Sequence, residues 1–240
     1  MNKYNYEVRF PKKFSGSMLK TFAVTSMLVD HIAVFLLTSV NSFNQVWFTY
    51  LGQPVTFVWL LRMVGRFAFP LFVFLLVQGY LHTRNRNRYG QYLLLFALVS
   101  EIPFDLVHYG YLEYSSQNIF FSLLFGYIGM RLWDYWQNDR FNRMIAMLML
   151  SGAVIVSRCD YGLSGFIFIM VMYAWHTHPV IKTGATAWLL PGSLFVFLSS
   201  FIMTCYDGTR GFIRTPAMKY AFYAVYPVHL LIIYLIKQMI

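Results

Sequence analysis

Residues 17–38, SMLKTFAVTSMLVDHIAVFLLT, are apolar enough to cross a bilayer, yet Asp30 and His31 stand side by side within them. An ionisable group at membrane depth costs about 3 kcal/mol or more unless it is paired or hydrated, so such residues are functional candidates by default. Other apolar stretches carry Arg62 and Arg66, Glu101 and Asp105, and His229. The two arginines are four apart, as are the two acids, so each pair shares one helix face. A histidine flanked by acids is suited to general-base work near neutral pH. Adjacent helical side chains point about 100° apart, so Asp30 and His31 cannot share a face. Asp30 is free to meet Arg62 or Arg66 while Glu101 or Asp105 supports the imidazole, and the spacing leaves that assignment open. The structural alternative for any single pair is that an arginine and a carboxylate only hold helices together.

A second group of residues lies nearer the end of the first apolar stretch. Lys20 precedes His31 by roughly 16 Å of helix at 1.5 Å per residue, and the loop HTRNRNRY adds Arg84, Arg86 and Arg88. Such cations suit the phosphates of an anion whose thin arm reaches toward His31, and coenzyme A has that form. Positive-inside topology also produces arginine-rich loops, and anionic lipid headgroups compete for them. No glycine-rich phosphate loop, zinc-ligand spacing or serine nucleophile elbow occurs, so no metal is expected.

The elements that position these residues follow from composition. With 58% hydrophobic, 20% aromatic and only 12% charged residues in 240, and a mean hydropathy of +0.53, the chain lies outside the range of soluble domains. We expect an all-α polytopic membrane protein, one integral domain over 1–240, with a basic segment at 1–17 and a helical bundle at 18–237. The apolar runs predict about eight transmembrane helices, at 18–38, 61–81, 90–108, 118–133, 143–157, 162–176, 184–203 and 218–237. The first is too long for a signal-peptide core and lacks a small-residue cleavage site, so it is expected to remain as a helix. The aromatic segment NSFNQVWFTYLGQPVTFVWL is read as an outer interfacial or re-entrant piece. With the N-terminus inside, Lys3, Arg9, Lys12, Lys13, Lys20, Arg84, Arg86, Arg88, Arg131, Arg140, Arg143, Lys182 and Lys237 collect on the cytoplasmic side, leaving Arg158, Arg210 and Arg214 outside. Both termini are therefore expected in the cytoplasm. Helical rise puts His31, Arg66, Glu101 and Asp105 in the outer half of the membrane and His229 nearer the midplane. Cys159 and Cys205 have no metal-ligand spacing and read as apolar fillers rather than a disulfide.

At LKTFAVTSMLVDHIA, LRMVGRFAFPLFVFLLVQGYLHTRN, SEIPFDL, NIFFSLLFG, YGLSG and KYAFYAVYPVHLLIIYLI the chain resembles the TraX family, from about Met18 to the end. Lys20-x10-His31, the arginine loop and YPVHL also resemble the wider membrane acyltransferase superfamily. The resemblance implies transfer of an acetyl group from cytoplasmic acetyl-CoA to an amine or hydroxyl near the outer face, a pilin N-terminus being one such acceptor. It implies His31 as the base and Lys20, Arg66, Arg84 and Arg86 as donor-binding cations; Arg62 and Arg88 are further candidates. In that scheme Glu101, Asp105 or Asp30 stabilises the imidazolium, and Arg66 polarises the thioester carbonyl. An acyl-histidine intermediate is a chemical variant.

The expected partners are acyl-CoA, an acceptor peptide, protein or glycan, and the lipid bilayer, with no nucleic acid; the expected location is a bacterial plasma membrane. The rival readings are an anion or proton-coupled transporter, because carboxylates and a histidine inside helices also make proton relays, and a non-catalytic assembly protein. The two halves show no internal repeat of the kind common in transporters.

Overall fold

The computed structural model describes residues 11–50, 52–178, 184, 186, 189 and 194–239. Lys3, Arg9, Lys182 and part of the expected span at 184–203 lie outside them. The described chain is mostly helical: α1 Gly16–Phe35, α2 Phe57–Gly65, α3 Ala68–His82, α4 Arg86–Tyr109, α5 Ile119–Tyr135, α6 Arg140–Ser157, α7 Gly162–Ala174, α8 Leu194–Thr204 and α9 Pro216–Met239. Among the described residues, five stretches are long and apolar enough to cross a membrane, namely Gly16–Ser39, Phe57–His82, Arg86–Tyr109, Arg140–Ser157 and Ala217–Met239. α7 and α8 are apolar but shorter.

Polar side chains start these helices by taking backbone N–H groups that have no partner in the first turn. Thr56 accepts from Trp59 N at 3.0 Å, Asn85 from Arg88 N at 2.9 Å, Asn118 from Phe120 N at 3.0 Å and Asp139 from Asn142 N at 3.0 Å. The aromatic segment after α1 forms two 3-10 turns and a small antiparallel hairpin, with Phe48 opposite Val55. Trp47, Phe48 and Tyr50 are exposed there, as befits aromatic side chains at a membrane interface.

The expected helix at 61–81 is broken at Arg66–Phe67, between α2 and α3. Pro70 has no N–H to give the Arg66 carbonyl, and its ring collides with that turn. Ser26 of α1 donates its hydroxyl to Val64 O at 2.6 Å and lies 3.2 Å from Gly65 O, satisfying carbonyls at the break. Gly65 is needed for that approach, since a Cβ there would lie 2.3 Å from Asp30 Cβ.

The direction of each helix follows from what its ends touch. α4 and α5 are antiparallel: Arg86 meets Asp134 at one end, and Glu101 meets Asn118 toward the other. Gly16 N and Ser17 N donate to Thr209 O and Arg210 O at 2.8 and 3.0 Å, and Lys13 N donates to Cys205 O at 2.9 Å. The 205–215 connection therefore lies beside the start of α1. Tyr220 on α9 meets Tyr92 on α4 near the same end, while Lys237 reaches Val107 O at 3.2 Å at the opposite end.

These contacts correct two expectations. α8 runs toward the N-terminal end of the bundle instead of away from it, and α9 then leaves that end parallel to α1. The described termini, near Lys13 and Lys237, lie at opposite ends of the bundle, unlike the arrangement expected from the charges. Tyr173 of α7 is bonded to Asp134 at the basic end, whereas Leu189 and Val196 line a cavity with Arg62, so α8 starts at the opposite end from the one where α7 stops. Arg210, Arg214 and Lys219 accordingly join the N-terminal end, and Lys237 leaves it. The charge asymmetry is sharper in the structure than in the expected eight-span arrangement.

One apolar core, including Leu19, Tyr80, Leu93, Met130, Phe168 and Leu230, runs through the bundle. Leu148, Met149 and Val156 on α6 and Leu95, Leu98 and Ile102 on α4 face outward, an arrangement suited to lipid.

Candidate functional site

α1 and α9 run side by side, and each carries one histidine at a similar distance from its start. His31 lies fifteen residues beyond Gly16 and His229 thirteen beyond Pro216, roughly 22 and 20 Å along their helices. Their side chains meet, with His31 Nδ1 2.6 Å from His229 Nε2. His229 is buried and His31 is half-buried. The expectation that His229 lies nearer the midplane assumed a helix descending from the other end, and the direction of α9 corrects it. Tyr226 lies against both rings, with centroids 6.1 Å from His31 and 5.6 Å from His229. Phe35 packs edge-on to His31 at 5.8 Å and to His108 at 4.7 Å.

Neither Glu101 nor Asp105 is hydrogen-bonded to His31. Glu101 accepts from the side-chain amide of Asn118 at 2.5 Å and from its backbone N–H at 3.3 Å, tying α4 to the start of α5. Asp105 accepts from Glu113 N at 3.1 Å. The second oxygen of each acid, Glu101 Oε1 and Asp105 Oδ1, is buried without a hydrogen-bond partner. The imidazole that the sequence places beside an acid is thus supported by a second imidazole.

Asp30 faces the other way, as its angular offset from His31 requires. Its carboxylate is 3.8 Å from Arg62 Nε. The pair lines a recess of about 360 Å³ together with Gly65, Arg66, Phe69, Pro70, Tyr161, Leu189 and Val196. One wall is the short connection between α6 and α7, where Arg158 and Tyr161 both hold left-handed backbone, at φ 51° and 61°. Such conformations are uncommon for residues other than glycine and persist only where their surroundings enforce them. Tyr161 stacks flat on Phe69 at 3.6 Å between centroids, and Ser122 donates its hydroxyl to the Asp160 carbonyl. Asp160, Tyr161, Tyr226 and His108 were missed as candidates in the sequence. His108 follows Asp105 by one helical turn, a signal that was available; the strained turn in CDYG gives no such periodic mark.

At the basic end the expected donor cations divide into two groups. Arg86 is paired with Asp134 at 2.7 Å, and that carboxylate also accepts from Tyr80 and Tyr173. Arg84 and Arg86 line an open cleft of about 860 Å³ with Asn87, Arg131 and Gln137. Arg88 is turned toward α9: its Nε donates to Tyr92 Oη at 3.0 Å, and Tyr220 donates to the same oxygen at 2.6 Å. Lys219 sits over the Tyr92 ring at 5.4 Å, and Lys20 lies within electrostatic reach of Lys219 and Arg210. Lys20, Arg88, Arg210 and Lys219 therefore gather where α1, α4 and α9 start. Cys159 and Cys205 are free and buried, and no cluster of three or more potential metal ligands occurs among the described residues.

The family model described as TraX protein matches residues 15–237. A curated relative, the "Probable fimbrial assembly protein FimC, serogroup H1" of Dichelobacter nodosus, is 26% identical over 90% of this chain and 93% of its own length. No solved structure matches the chain. Helices of membrane-crossing length, an ionisable pair between two of them, and a family match that covers both residues converge: the chain belongs to the TraX family.

Proposed function

We propose that this protein is a bacterial membrane acyltransferase that takes an acetyl group from cytoplasmic acetyl-CoA and gives it to an amine or hydroxyl of a surface polymer subunit. The observation that carries the reading is the His31–His229 pair, an imidazole held inside the bundle by another imidazole where the sequence suggests a carboxylate. The fimbrial-assembly relative supports a fimbrial or pilin subunit as the acceptor. The positive-inside rule makes the end bearing Lys20, Arg84 and Arg210 cytoplasmic.

The donor's phosphates sit at Lys20, Arg88, Arg210 and Lys219, and its arm follows the seam between α1 and α9 toward His31. Arg86 is a weaker candidate because Asp134 already neutralises it. Arg66 opens into the recess beside Asp30, where its guanidinium suits a carbonyl or carboxylate of the acceptor. His31 takes the proton of the acceptor N–H or O–H as that atom attacks the thioester carbonyl. The new C–N or C–O bond forms, the C–S bond breaks, and the leaving thiolate receives the proton from His31. Incubating the purified protein with labelled acetyl-CoA and native host membranes tests this directly; transfer by wild type but not by His31→Ala is the expected result.

A proton-coupled transporter is the second reading, favoured by the buried, unpartnered oxygens of Glu101 and Asp105. It requires no acyl transfer. It is the reading left standing if coenzyme A does not bind and vesicles show substrate-linked proton flux.

A further inference from the structure

Four histidines of this chain share one habit, and His31 departs from it. His82, His108 and His229 each direct Nδ1 at the carbonyl four residues back, those of Gln78, Phe104 and Val225, at 2.9, 2.9 and 2.8 Å. His176 directs Nδ1 at the carbonyl three residues back, that of Tyr173, at 2.8 Å. His31 instead directs Nδ1 at His229 Nε2. The two rings are inclined by only 14° with centroids 4.9 Å apart. Faces stacked on one another would keep their nitrogens at van der Waals distance, so a 2.6 Å approach means that the rings lie side by side in nearly one plane.

The proton positions follow from the acceptors. A carbonyl only accepts, so the hydrogen between His229 and Val225 O belongs to His229 Nδ1. A neutral imidazole carries one N–H, which leaves His229 Nε2 as a lone pair. The hydrogen between the two rings therefore belongs to His31 Nδ1, and His31 Nε2 carries the free lone pair.

Resting on the acyl-transfer reading above, we infer that His229 is a positioning residue that locks His31 in its Nδ1–H tautomer and so presents Nε2 as the base. When Nε2 takes the acceptor's proton, the Nδ1–H is already in place, and the imidazolium charge is shared through the hydrogen bond to His229, which Val225 O anchors. Returning the proton to the leaving thiolate restores the starting tautomers. A carboxylate in the same position would also fix the tautomer, but it would bring a permanent charge to membrane depth. A second imidazole fixes it while the resting pair stays uncharged.

The test uses full-length protein with 15N-labelled histidine in nanodiscs, the His31 signal being assigned by its loss in His31→Asn. Wild type is expected to show His31 as the Nδ1–H tautomer. His229→Leu removes the acceptor and is expected to release His31 toward the Nε2–H form, lowering kcat by ~10²–10⁴-fold with coenzyme A affinity unchanged. His229→Gln, whose side-chain oxygen can accept from His31 Nδ1, is expected to restore the tautomer and most of the rate. An Nε2–H tautomer in wild type overturns the proposal, and that spectrum needs no folded variant. So does an unchanged His31 tautomer in His229→Leu, or a folded His229→Gln as slow as His229→Leu. If wild type transfers no acetyl group while the tautomer responds as stated, the acyltransferase reading fails and the positioning role of His229 stands.

Discussion

At the scale of single residues, the two neighbours that stood out in the first helix have separate surroundings. His31 belongs to the α1–α9 seam and Asp30 to the recess beside α2. His31→Ala should lower acyl transfer by ~10²–10⁴-fold while coenzyme A binding persists, because proton removal contributes to rate and little to donor affinity. Near-normal turnover in that variant would return the imidazole to a packing role. Asp30→Asn should be mild for stability. At 3.8 Å from Arg62, with the two side chains 31% and 54% exposed, the pair is worth about 1 kcal/mol or less. A much larger loss of folded protein would show that Asp30 also neutralises Arg66. The presence of these polar residues inside apolar runs was legible from the sequence, and so was the angular split between Asp30 and His31. The partner of His31 was not, because 198 positions separate it from His229 and no local periodicity links them.

At the scale of elements, the α2–α3 break and the cation clusters decide how the site is held. The apolar run at 61–81 was legible, whereas its interruption depends on Pro70 acting together with a close approach of α1. Gly65→Ala places a methyl within 2.3–2.6 Å of Asp30 atoms. Because the obstruction includes Cβ of a helical residue, α1 and α2 must separate, at a cost of about 1–3 kcal/mol. A drop in the temperature at which monodisperse protein is lost measures this, and an unchanged value would mean that the recess widens freely. The arginines of HTRNRNRY also separate by element. Arg86 anchors Asp134, which holds Tyr80 on α3 and Tyr173 on α7. Arg86→Gln should therefore lower stability more than donor affinity. Lys20→Gln combined with Lys219→Gln should weaken coenzyme A binding in a salt-sensitive way while leaving the fold intact, since among the described residues neither lysine is paired with an acid. The opposite pattern would move the donor to the Arg84–Arg131 cleft.

At the scale of the whole molecule, the arrangement of the ends turns on the directions of α8 and α9. Strong apolar runs and terminal charges locate most helices, but they do not fix the direction of a late one, and reversing it inverts everything after it. α7 spans only Gly162–Ala174, and its Tyr173 is at the same end as Asp134; by Leu189 the chain is back at the recess, and by Cys205 it is bonded to Lys13. A single span over 184–203 that leads away from the basic end gives α8 and α9 the opposite directions. Charge offered a check, because the structure moves Arg210 and Arg214 from the sparsely charged side to the basic one, as the positive-inside rule favours. Cysteines placed at Asn87 and Gly208 should therefore be labelled from the same, cytoplasmic side, against a background in which Cys159 and Cys205 are buried. A reporter active only outside the cytoplasm, fused after Ile240, should be active. Labelling of Gly208 from outside together with a silent fusion would restore two cytoplasmic termini. It would also reverse α9 relative to α1, remove His229 from the depth of His31, and dissolve the histidine pair on which the proposed chemistry rests.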